Sequence, residues 1–533
     1  MSNENEQLLE NANQIMEEAV EKAGELLMSK PQIAEIILKQ CLKCDPEHNA
    51  ALQLLGLCKH RMGENAEAIE IIQTVLDLDP SNADNWNNLG LAYGGLGNEE
   101  KAIECIKKAL EINPNHFLYQ NNLGLHYRAS GDYENAIASL RQALKSEERP
   151  QLWVNLGGMY GELCNLEEAE KCFESAIKLD PEYAAAYVDL AFVYHLRGDW
   201  KKGFAANEWR FFYYPQMKYY HSSFDMQKLW DGKADLNGKR VLIYGEQGLG
   251  DIIQFVRFTK FLKEKGAHVI VHCPTNLDAI IRRVEGVDET TNKDIYNKTD
   301  EVFPEYDYQF SMMSFPYLLN LDTISGKPYV KPATTAFKDY MQKEYGKTLN
   351  VGIVWAGNPA HPHDQRRSIP LENFRLLHDT PGVKLFSLQI ESSKRQYGVT
   401  YRNLESVAKP DDTCINKFIP QHGIVDYSEN CEDMKIVDLT KMIQSFDDTA
   451  TILAGLDLVV CCDTATAHLA GAMGVPVWVA IPYNPDWRWE LKGDTTYWYD
   501  SMKLYRQPER DDWKSVFERM QKDLNETVLQ NQR

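Results

Sequence analysis

The sequence lacks the features that mark membrane, secreted and zinc-binding proteins. No run of about 18 apolar residues could span a bilayer, and the start, Met-Ser-Asn-Glu-Asn-Glu-Gln, has neither the basic nor the apolar region of a signal peptide. The 11 cysteines include no paired C-x-x-C arrangement with zinc spacing. We therefore expect a cytoplasmic protein with reduced cysteines, four of which fall on predicted helix faces: Cys41, Cys58, Cys105 and Cys172.

Positive charge is also scarce. Acidic residues number 78 against 57 basic ones, which gives a formal net charge of −21 at pH 7. Nucleic acids and anionic membranes are held by Lys and Arg, so this balance argues against both partners. What the chain does contain is a 44% hydrophobic fraction over 533 residues. That is enough for a core in each of roughly three or four domains.

A landmark of Leu followed by Gly or Ala recurs at spacings of 34, 34, 33 and 34 residues. This period resembles that of tetratricopeptide repeats, which are helix pairs stacked into a solenoid. The resemblance predicts an α-solenoid over residues 1–203, in which residues 6–42 form an atypical pair of helices that caps the array. The landmarks are Leu55-Gly56, Leu89-Gly90, Leu123-Gly124, Leu156-Gly157 and Leu190-Ala191.

The residue before each landmark recurs at one place on the concave side of such a solenoid. Three of these residues are asparagines and the last is an aspartate: Asn88, Asn122, Asn155 and Asp189. The row resembles the asparagine ladder of O-linked N-acetylglucosamine transferase, in which side-chain amides hold the backbone of an extended protein substrate. An amide both donates and accepts hydrogen bonds, so it can bind a peptide group whatever its sequence. The resemblance implies a protein acceptor; the alternative is that the asparagines bond within the array.

Residues 204–237 form an aromatic segment between the repeats and the rest of the chain. It includes Trp209-Arg-Phe-Phe-Tyr-Tyr214 and contains too few Gly and Ser residues to be a free linker. We expect a packed adaptor whose aromatic side chains lie in its core.

From residue 238 onward, short apolar runs alternate with helical stretches. This alternation predicts an α/β protein with parallel sheets. The predicted strands are Arg240–Tyr244, His268–His272, Tyr308–Met312, Val351–Ala356, Lys384–Leu388, Leu458–Cys462 and Val477–Ile481.

A second strand followed by glycine, ending at Gly357, predicts two Rossmann-like lobes at 238–345 and 346–533. Ligands of such folds bind at the carboxyl ends of strands, so the cleft between the lobes is the expected site. Five motifs in order resemble the two-lobed (GT-B) glycosyltransferases related to heptosyltransferases of lipopolysaccharide synthesis, in the subgroup with amino-terminal tetratricopeptide repeats. The motifs are Gly245-Glu-Gln-Gly-Leu-Gly-Asp251, Trp355-Ala-Gly-Asn-Pro359, Arg367-Ser-Ile-Pro-Leu371, Asp463-Thr-Ala-Thr-Ala-His-Leu-Ala470 and Pro482-Tyr-Asn-Pro-Asp-Trp-Arg-Trp489.

The first motif places Asp251 after Gly248 and Gly250 at a predicted strand-to-helix turn. The resemblance implies that Asp251 is the base that takes the proton of the acceptor hydroxyl while the nucleotide leaves. The alternative role for this aspartate is to cap the helix N-terminus. The glycines stand in the order G-x-x-G-x-G rather than G-x-G-x-x-G, which argues against a dinucleotide-binding dehydrogenase.

On the donor side of the predicted cleft, Asp463 and Thr464 follow an apolar strand and open a helix. A helix N-terminus offers free N–H groups and a positive dipole end to a diphosphate. His468 lies one turn beyond Thr464, on the same side. The resemblance implies that this segment and the planar guanidinium of Arg367 bind a nucleotide-sugar without a metal. The alternatives are a capped helix with one satisfied histidine, and a solvated basic pair of Arg366 and Arg367.

Four further positions, on turns that follow predicted strands, are candidates for donor contacts: Trp355, Gly357, Asn358 and Gln389. Ala465 stands where heptosyltransferases usually have glycine, which leaves the identity of the donor open. The loop His361-Pro-His363-Asp364 has no partner with metal-ligand spacing, and we predict neither a metal nor a cofactor.

Two further features, one motif and one predicted helix, concern closure of the site. Asp486-Trp-Arg-Trp489 is a candidate for closing over the nucleotide, with a packing role for the tryptophans as the alternative. Residues Asp511 to Leu529 predict a terminal helix, and analogy with two-lobed transferases implies that it crosses back to the first lobe.

These features predict a glycosyltransferase that moves a sugar from a nucleotide-sugar donor to an acceptor hydroxyl. The resemblance implies an inverting, metal-independent reaction in which the repeats recruit a protein acceptor. One alternative keeps the enzyme but makes the acceptor a surface glycan or a lipid-linked saccharide. The other is a non-catalytic tetratricopeptide scaffold. The sequence does not specify the sugar, the nucleotide or the oligomeric state.

Overall fold

The computed structural model describes residues 2–214, 226–292, 304–358, 361, 364–390 and 434–531. The chain divides into two compact units, one that ends at Leu190 and one that begins at Ala191. The first unit is helical, and the second contains two parallel β-sheets with helices. None of the helices in these ranges is long and apolar enough to cross a membrane.

The first unit is a series of helices in which each, from the first to the tenth, packs against the next. They are α1 (Ser2–Leu26), α2 (Pro31–Cys44), α3 (Asn49–Arg61), α4 (Asn65–Leu78), α5 (Ala83–Gly95), α6 (Glu99–Ile112), α7 (Phe117–Ala129), α8 (Tyr133–Ser146), α9 (Pro150–Glu162) and α10 (Leu166–Leu179). The next helix, α11 (Ala184–Leu196), crosses the division between the units. The four cysteines predicted on helix faces are buried, as expected.

The Leu-Gly landmarks mark close approach between the two helices of a repeat. A Cβ on Gly56 would lie 2.6 Å from Ile72 Cγ1, and a Cβ on Gly90 would lie 2.6 Å from Ile106 Cγ1. A larger residue would force the second helix of the pair, or its isoleucine side chain, to move. This explains why glycine recurs at the same position of successive repeats. The turns that separate the paired helices carry glycines with φ between 76° and 83°, which are Gly63, Gly97 and Gly131.

The second unit begins with the predicted adaptor. Phe204 is buried, and its ring centroid lies 6.0 Å from that of Trp487. Phe212 and Tyr213 are instead 62% and 46% exposed, so the predicted aromatic core covers only part of the segment. Residues 215–225 lie outside the described residues. The adaptor helices are α12 (Trp200–Asn207) and α13 (Arg210–Tyr213).

The first sheet has four parallel strands in the order β3-β2-β1-β4. Its strands are β1 (Arg240–Tyr244), β2 (His268–His272), β3 (Glu289–Thr291) and β4 (Tyr308–Ser311). The accompanying helices are α14 (Leu249–Phe255), α15 (Thr259–Glu264), α16 (Thr275–Ile281) and α17 (Phe315–Leu318).

The second sheet has six parallel strands in the order β10-β9-β8-β5-β6-β7. They are β5 (Leu349–Val354), β6 (Val383–Ser387), β7 (Val437–Asp438), β8 (Leu458–Cys462), β9 (Val477–Ile481) and β10 (Met502–Arg506). Both β5 and β8 are buried along their whole length, as expected of central strands in a parallel sheet. The helices are α18 (Ala336–Tyr345), α19 (Asp364–Arg367), α20 (Arg375–His378), α21 (Phe446–Leu453), α22 (Ala465–Met473) and α23 (Trp513–Asn531).

The coarse prediction of a repeat solenoid followed by parallel sheets with helices is confirmed. All seven predicted strands are present, with ends displaced by at most two residues. The sequence did not predict β3 and β7, which are three and two residues long, or β10, which lies at a sheet edge and alternates apolar with polar residues.

The prediction that the terminal helix crosses back to the first lobe is wrong. The apolar stripe of α23 is buried in the hydrophobic core of the second sheet. In that core the rings of Phe517 and Phe374 meet edge to face, with centroids 4.7 Å apart. Gln521 Nε2 also donates to the carbonyl of Leu376, at 2.7 Å. The helix is thus part of the hydrophobic core of the second sheet.

Candidate functional site

Strand order indicates where each sheet is expected to bind a ligand. The order reverses between β1 and β4 in the first sheet and between β5 and β8 in the second. Parallel α/β proteins bind ligands outside the carboxyl ends of strands at such reversals. Three of the predicted motifs follow these strands directly: Gly245–Asp251 after β1, Trp355–Asn358 after β5 and Asp463–His468 after β8.

Asp251 lies in the first turn of α14, and both of its carboxylate oxygens have partners. Oδ2 accepts a hydrogen bond from the backbone N–H of Gly248 at 2.8 Å, and Oδ1 is paired with the guanidinium of Arg488. The capping role that sequence analysis offered as the alternative is therefore present. The ion pair is a second role that capping does not require.

α14 of the first sheet packs against α22 of the second through Gly250. A Cβ at this position would lie 2.9 Å from His468 Cδ2 and 3.5 Å from the Cα of Ala465. Glycine is thus required by close packing between the two helices. This contact brings the start of α14, with Asp251, to the start of α22.

The N-terminus of α22 carries a polar atom without a partner. Thr464 precedes the helix, and its buried Oγ1 makes no hydrogen bond with any of the residues that the structure describes. Buried hydroxyl groups are normally satisfied, so an unpaired one beside a helix N-terminus marks a place where a ligand oxygen could bind.

His468, one turn further along α22, is 5% exposed and held by aromatic side chains. Its Nδ1 lies 3.0 Å from the hydroxyl of Tyr499, and its ring stacks on that of Trp489 with centroids 5.4 Å apart. Burial and the cations of Arg488, Arg257 and Arg367 hold the pKa of His468 well below its usual range. The imidazole is therefore neutral at physiological pH.

Arg367 is hydrogen-bonded to the turn that precedes α22. Its Nη1 donates to the backbone carbonyl of Asp463 at 3.1 Å, and its Nε donates to Asp364 Oδ1 at 3.2 Å. The side chain is 19% exposed, so the alternative of a solvated basic pair does not describe Arg367. A Cβ on Gly357 would lie 2.3 Å from Asp364 Oδ1 and 2.6 Å from Arg367 Nη2, which explains the glycine in that motif.

Burial alters the protonation of Asp463 as well. Its loss of water and the nearby carboxylate of Asp486 raise the pKa of Asp463 to about 6, against the lowering effects of Trp489, Arg367 and Arg488. A carboxyl group with such a pKa exchanges protons near physiological pH.

Three other donor-contact candidates follow β5 and β6. Gln389 Oε1 accepts from the backbone N–H groups of Trp355 and Ala356 at 3.0 and 2.8 Å, and its Nε2 donates to the Ala356 carbonyl at 3.1 Å. Gln389 thus fixes the turn after β5. Trp355 is 0% exposed, and its Nε1 has no hydrogen-bond partner within the described part of the chain. Asn358 ends the described part of this turn, and Pro359 lies outside it.

Three residues beside the predicted site residues carry no motif signal in the sequence: Gln254, Tyr499 and Arg257. Gln254 is one turn after Asp251 on α14 and is 0% exposed; its Oε1 accepts from Arg488, and its Nε2 has no partner among the residues in the described ranges. A glutamine in a short apolar helix is the signal that could have identified it. Arg257 Nη1 donates to the Trp498 carbonyl at 2.6 Å.

No group of three or more His, Cys, Asp or Glu side chains suited to a metal ion occurs among the residues that the structure describes. His363, part of the loop considered for a metal, is not among them.

The concave asparagines of the first unit are joined by side-chain hydrogen bonds, which we term the amide chain. Asn122 uses one N–H and one oxygen lone pair in it and retains one of each for another partner. The alternative in which the asparagines bond within the array is thus present. The bonds run from Asn155 Nδ2 to Asn121 Oδ1 (2.6 Å), Asn121 Nδ2 to Asn122 Oδ1 (3.4 Å), Asn122 Nδ2 to Asn87 Oδ1 (2.9 Å) and Asn87 Nδ2 to Asn88 Oδ1 (3.5 Å).

Asp189 occupies the corresponding position of the last repeat. Burial raises the pKa of Asp189 to about 7, and the positive charge of Arg128 only partly opposes this effect. The concave surface therefore ends in a carboxyl group that titrates near neutral pH.

Comparison with known proteins identifies the class of the first unit. Models of the tetratricopeptide repeat match residues 50–82, 83–116, 121–151 and 150–183. The first unit is therefore a tetratricopeptide-repeat solenoid.

One curated protein is similar to about half of this chain. The chain is 23% identical to Protein FlbA of Caulobacter vibrioides over 296 residues, which cover 52% of this chain and 44% of FlbA. The chain thus spans less than half the length of that relative.

Solved structures of repeat proteins are similar to part of this chain. A thermophilic repeat protein of Thermus thermophilus is 24% identical and covers 33% of this chain and 98% of its own, with a TM-score of 0.31. A tetratricopeptide repeat protein from Parabacteroides merdae is 24% identical and covers 39% of this chain and 85% of its own, with a TM-score of 0.33. PilF of Pseudomonas aeruginosa is 16% identical and covers 40% and 99%, with a TM-score of 0.33.

Proposed function

We propose that this chain is a glycosyltransferase that moves a sugar from a nucleotide-sugar donor to an acceptor hydroxyl, with Asp251 as the base. The observation that carries the proposal is the meeting of two helix starts: Asp251 on α14, and Thr464 with His468 on α22. Sugar transfer requires a base near the acceptor and stabilisation of negative charge on the leaving nucleotide. One helix start supplies the carboxylate and the other supplies N–H groups and a hydroxyl.

The chemistry of the second helix start suits a diphosphate. The first N–H groups of α22 and the unpaired Thr464 hydroxyl are hydrogen-bond donors, and Arg367 lies beside them. Such donors stabilise phosphate oxygens without a metal ion.

The repeats supply the second part of the proposal, in which they bind the acceptor. Tetratricopeptide repeats present an extended concave surface to partners, and Asn122 has hydrogen-bonding capacity beyond the amide chain. A protein acceptor fits this surface. Because the amide chain already satisfies part of each asparagine, an enzyme that acts on a glycan or a lipid-linked saccharide is a second candidate.

Thermal unfolding with uridine, guanosine, adenosine and cytidine diphosphates tests the donor site. A ligand at about 100 times its dissociation constant stabilises the native state by roughly 2.7 kcal/mol. We expect one nucleotide to raise the unfolding temperature. Thr464→Val should keep the fold and weaken that nucleotide about 10- to 100-fold, the range for a lost hydrogen bond to a charged group.

The control is Thr74→Val on the exposed face of α4, where the hydroxyl bonds only its own helix. It should respond to nucleotide like the parent protein. If none of the four nucleotides shifts the unfolding temperature, the transferase proposal fails and a non-catalytic scaffold becomes the better interpretation.

A second experiment separates the acceptor classes. Asn88, Asn122 and Asn155 are replaced together by alanine, and transfer is measured with nucleotide binding as the control. Loss of transfer with intact nucleotide binding supports a protein acceptor held by the repeats. Unchanged transfer supports a glycan or lipid-linked acceptor.

A further inference from the structure

Arg488 uses all three nitrogens of its guanidinium in contacts around Asp251. Its Nε donates to Gln254 Oε1 at 2.8 Å, its Nη1 donates to Asp486 Oδ1 at 2.8 Å, and its Nη2 pairs with Asp251. The guanidinium also lies over the ring of Trp487, 4.4 Å from its centroid. Only 8% of the residue is exposed. Its motif is a candidate for closing over the nucleotide, and the sequence alone does not predict the contact with Asp251.

Asp251 and Arg488 follow strands that belong to different sheets. Asp251 lies on α14, which follows β1 of the first sheet, whereas Arg488 lies in the segment after β9 of the second. Gly250 lets α14 approach α22 closely enough for the contact, since a Cβ there would meet His468. The pair therefore depends on the packing of the elements that carry the candidate site.

Among the groups around Asp251, Arg488 does most to lower the pKa of its carboxyl group. Burial raises the pKa of Asp251, and the carboxylates of Asp486 and Glu246 act in the same direction. Arg488 and the N–H of Gly248 oppose them. His361 also interacts with Asp251, and burial holds its pKa below the usual value, so it adds no charge at neutral pH.

We propose that Arg488 is a positioning residue, which reaches from the segment after β9 to keep the carboxylate of Asp251 charged and fixed in one orientation. This inference rests on the proposed function only in calling Asp251 a base. A buried carboxylate that loses its partner becomes protonated or forces the site open, and a protonated carboxyl cannot accept the proton of a hydroxyl. Because Arg488 and Asp251 belong to different sheets, the base is prepared only while these elements stay packed.

A double-mutant cycle tests the pair without any activity measurement. Asp251→Asn, Arg488→Met and the double variant are compared with the parent protein by chemical denaturation at pH 7. We expect each single variant to lower the denaturation midpoint, and the double variant to lower it by less than the two shifts together. Arg282→Met, which removes a surface pair with Asp278 at 2.8 Å, should shift the midpoint little.

The protonation of Asp251 is the second readout. Burial already raises the pKa of Asp251 in the parent protein, and Arg488 limits this rise. In Arg488→Met the folded carboxyl should bind its proton more tightly still, so the midpoint should fall more steeply than in the parent as pH rises from 5 to 8. Adding Asp251→Asn should remove the fall, and Arg488→Lys, which keeps the charge, should restore a slope close to that of the parent. Additive single shifts together with an unchanged pH dependence would overturn the proposal.

Activity gives the third readout once a donor is known. Arg488→Met should lower kcat/KM about 100-fold or more, and Arg488→Lys should recover part of it with the acidic limb of the pH profile moved to higher pH. If no donor is transferred but the cycle shows coupling, the proposed function fails and the role of Arg488 in fixing Asp251 stands.

Discussion

Arg210 and Glu246 form a bidentate ion pair in which both side chains are fully buried. Arg210 Nε and Nη2 donate to the two carboxylate oxygens of Glu246 at 2.9 and 2.8 Å, and both side chains are 0% exposed. Glu246 Oε1 also accepts from the backbone N–H of Met313 at 3.0 Å. The pair ties the adaptor helix α13 to the turn between β1 and Asp251.

Breaking this pair should destabilise the second unit strongly. Arg210→Met leaves a buried carboxylate without its cation, and we expect a loss of about 3–5 kcal/mol in the free energy of unfolding. Chemical denaturation followed by tryptophan fluorescence measures it. Replacing both residues, with Arg210→Met and Glu246→Gln, should cost less than the two single changes together.

The matched control is Lys263→Met, which removes a surface pair with Asp288 at 2.5 Å where Lys263 is 49% exposed. Its expected cost is below about 1 kcal/mol. Equal effects of the buried and the surface substitutions would show that the adaptor contact does not stabilise the unit.

Periodic signals in the sequence predicted the architecture well. Gly56 and Gly90 occur because a neighbouring helix leaves no room for a Cβ, and such local packing repeats at a fixed spacing. β1 and β8 follow from continuous apolar runs that a parallel sheet buries on both faces. The strand β7 has only two residues, Val437 and Asp438, and no periodic signal can reveal a strand of that length.

The partners of the site residues could not be predicted, because their contacts are not local. Asp251 and Arg488 are 237 positions apart, and nothing in either motif indicates that they pair. Gln389 was predicted near the donor because it ends a strand, yet it binds the backbone of Trp355 and Ala356. The place of a residue directly after a strand predicts that it lies at the carboxyl end of the sheet. It does not predict the orientation of the side chain or its partners.

The terminal helix should be essential to the second sheet. Phe517 is 0% exposed, and we expect Phe517→Ala to lower the free energy of unfolding by about 3–5 kcal/mol, because it leaves a cavity against Phe374. Leu529→Ala on the same helix is the control, since Leu529 is 60% exposed and should change stability by less than about 0.5 kcal/mol. Chemical denaturation distinguishes the two. An equally small effect at Phe517 would contradict the packing of α23 described above.

Gly250→Ala should loosen the contact between α14 and α22. The added Cβ would lie 2.9 Å from His468 Cδ2, and overpacking of this kind costs about 1–3 kcal/mol. Alanine alone would favour the helix by about 0.5–1 kcal/mol. A fall in unfolding temperature therefore reports packing rather than helix propensity.

The control for this change is Gly158→Ala in α9, where no atom lies within 4 Å of the added Cβ. It should leave the unfolding temperature unchanged or raise it slightly. If Gly250→Ala behaves in the same way, the close approach of α14 to α22 is not required for stability.

The concave surface of the repeats should become less stable as pH rises towards neutral, because of Asp189. Burial raises the pKa of Asp189 to about 7 from its ordinary value of 3.8. Between these values the folded chain holds a proton that the unfolded chain has released, so the free energy of unfolding falls as pH increases from about 4 to 7. The upper limit of this fall is about 4 kcal/mol, and partial exposure of the side chain reduces it.

Asp189→Asn isolates this effect, because an amide of the same shape does not titrate. We expect the variant to lose the fall between pH 4 and 7 and to be more stable than the parent protein at pH 8, as measured by chemical denaturation across the pH range. Arg128→Met should act in the opposite direction, since Arg128 stabilises the charged carboxylate. Asp77→Asn, on the exposed face of α4, should follow the parent curve. A parent curve identical to that of Asp189→Asn would mean that Asp189 is hydrated in solution and that the concave surface carries its charge at neutral pH.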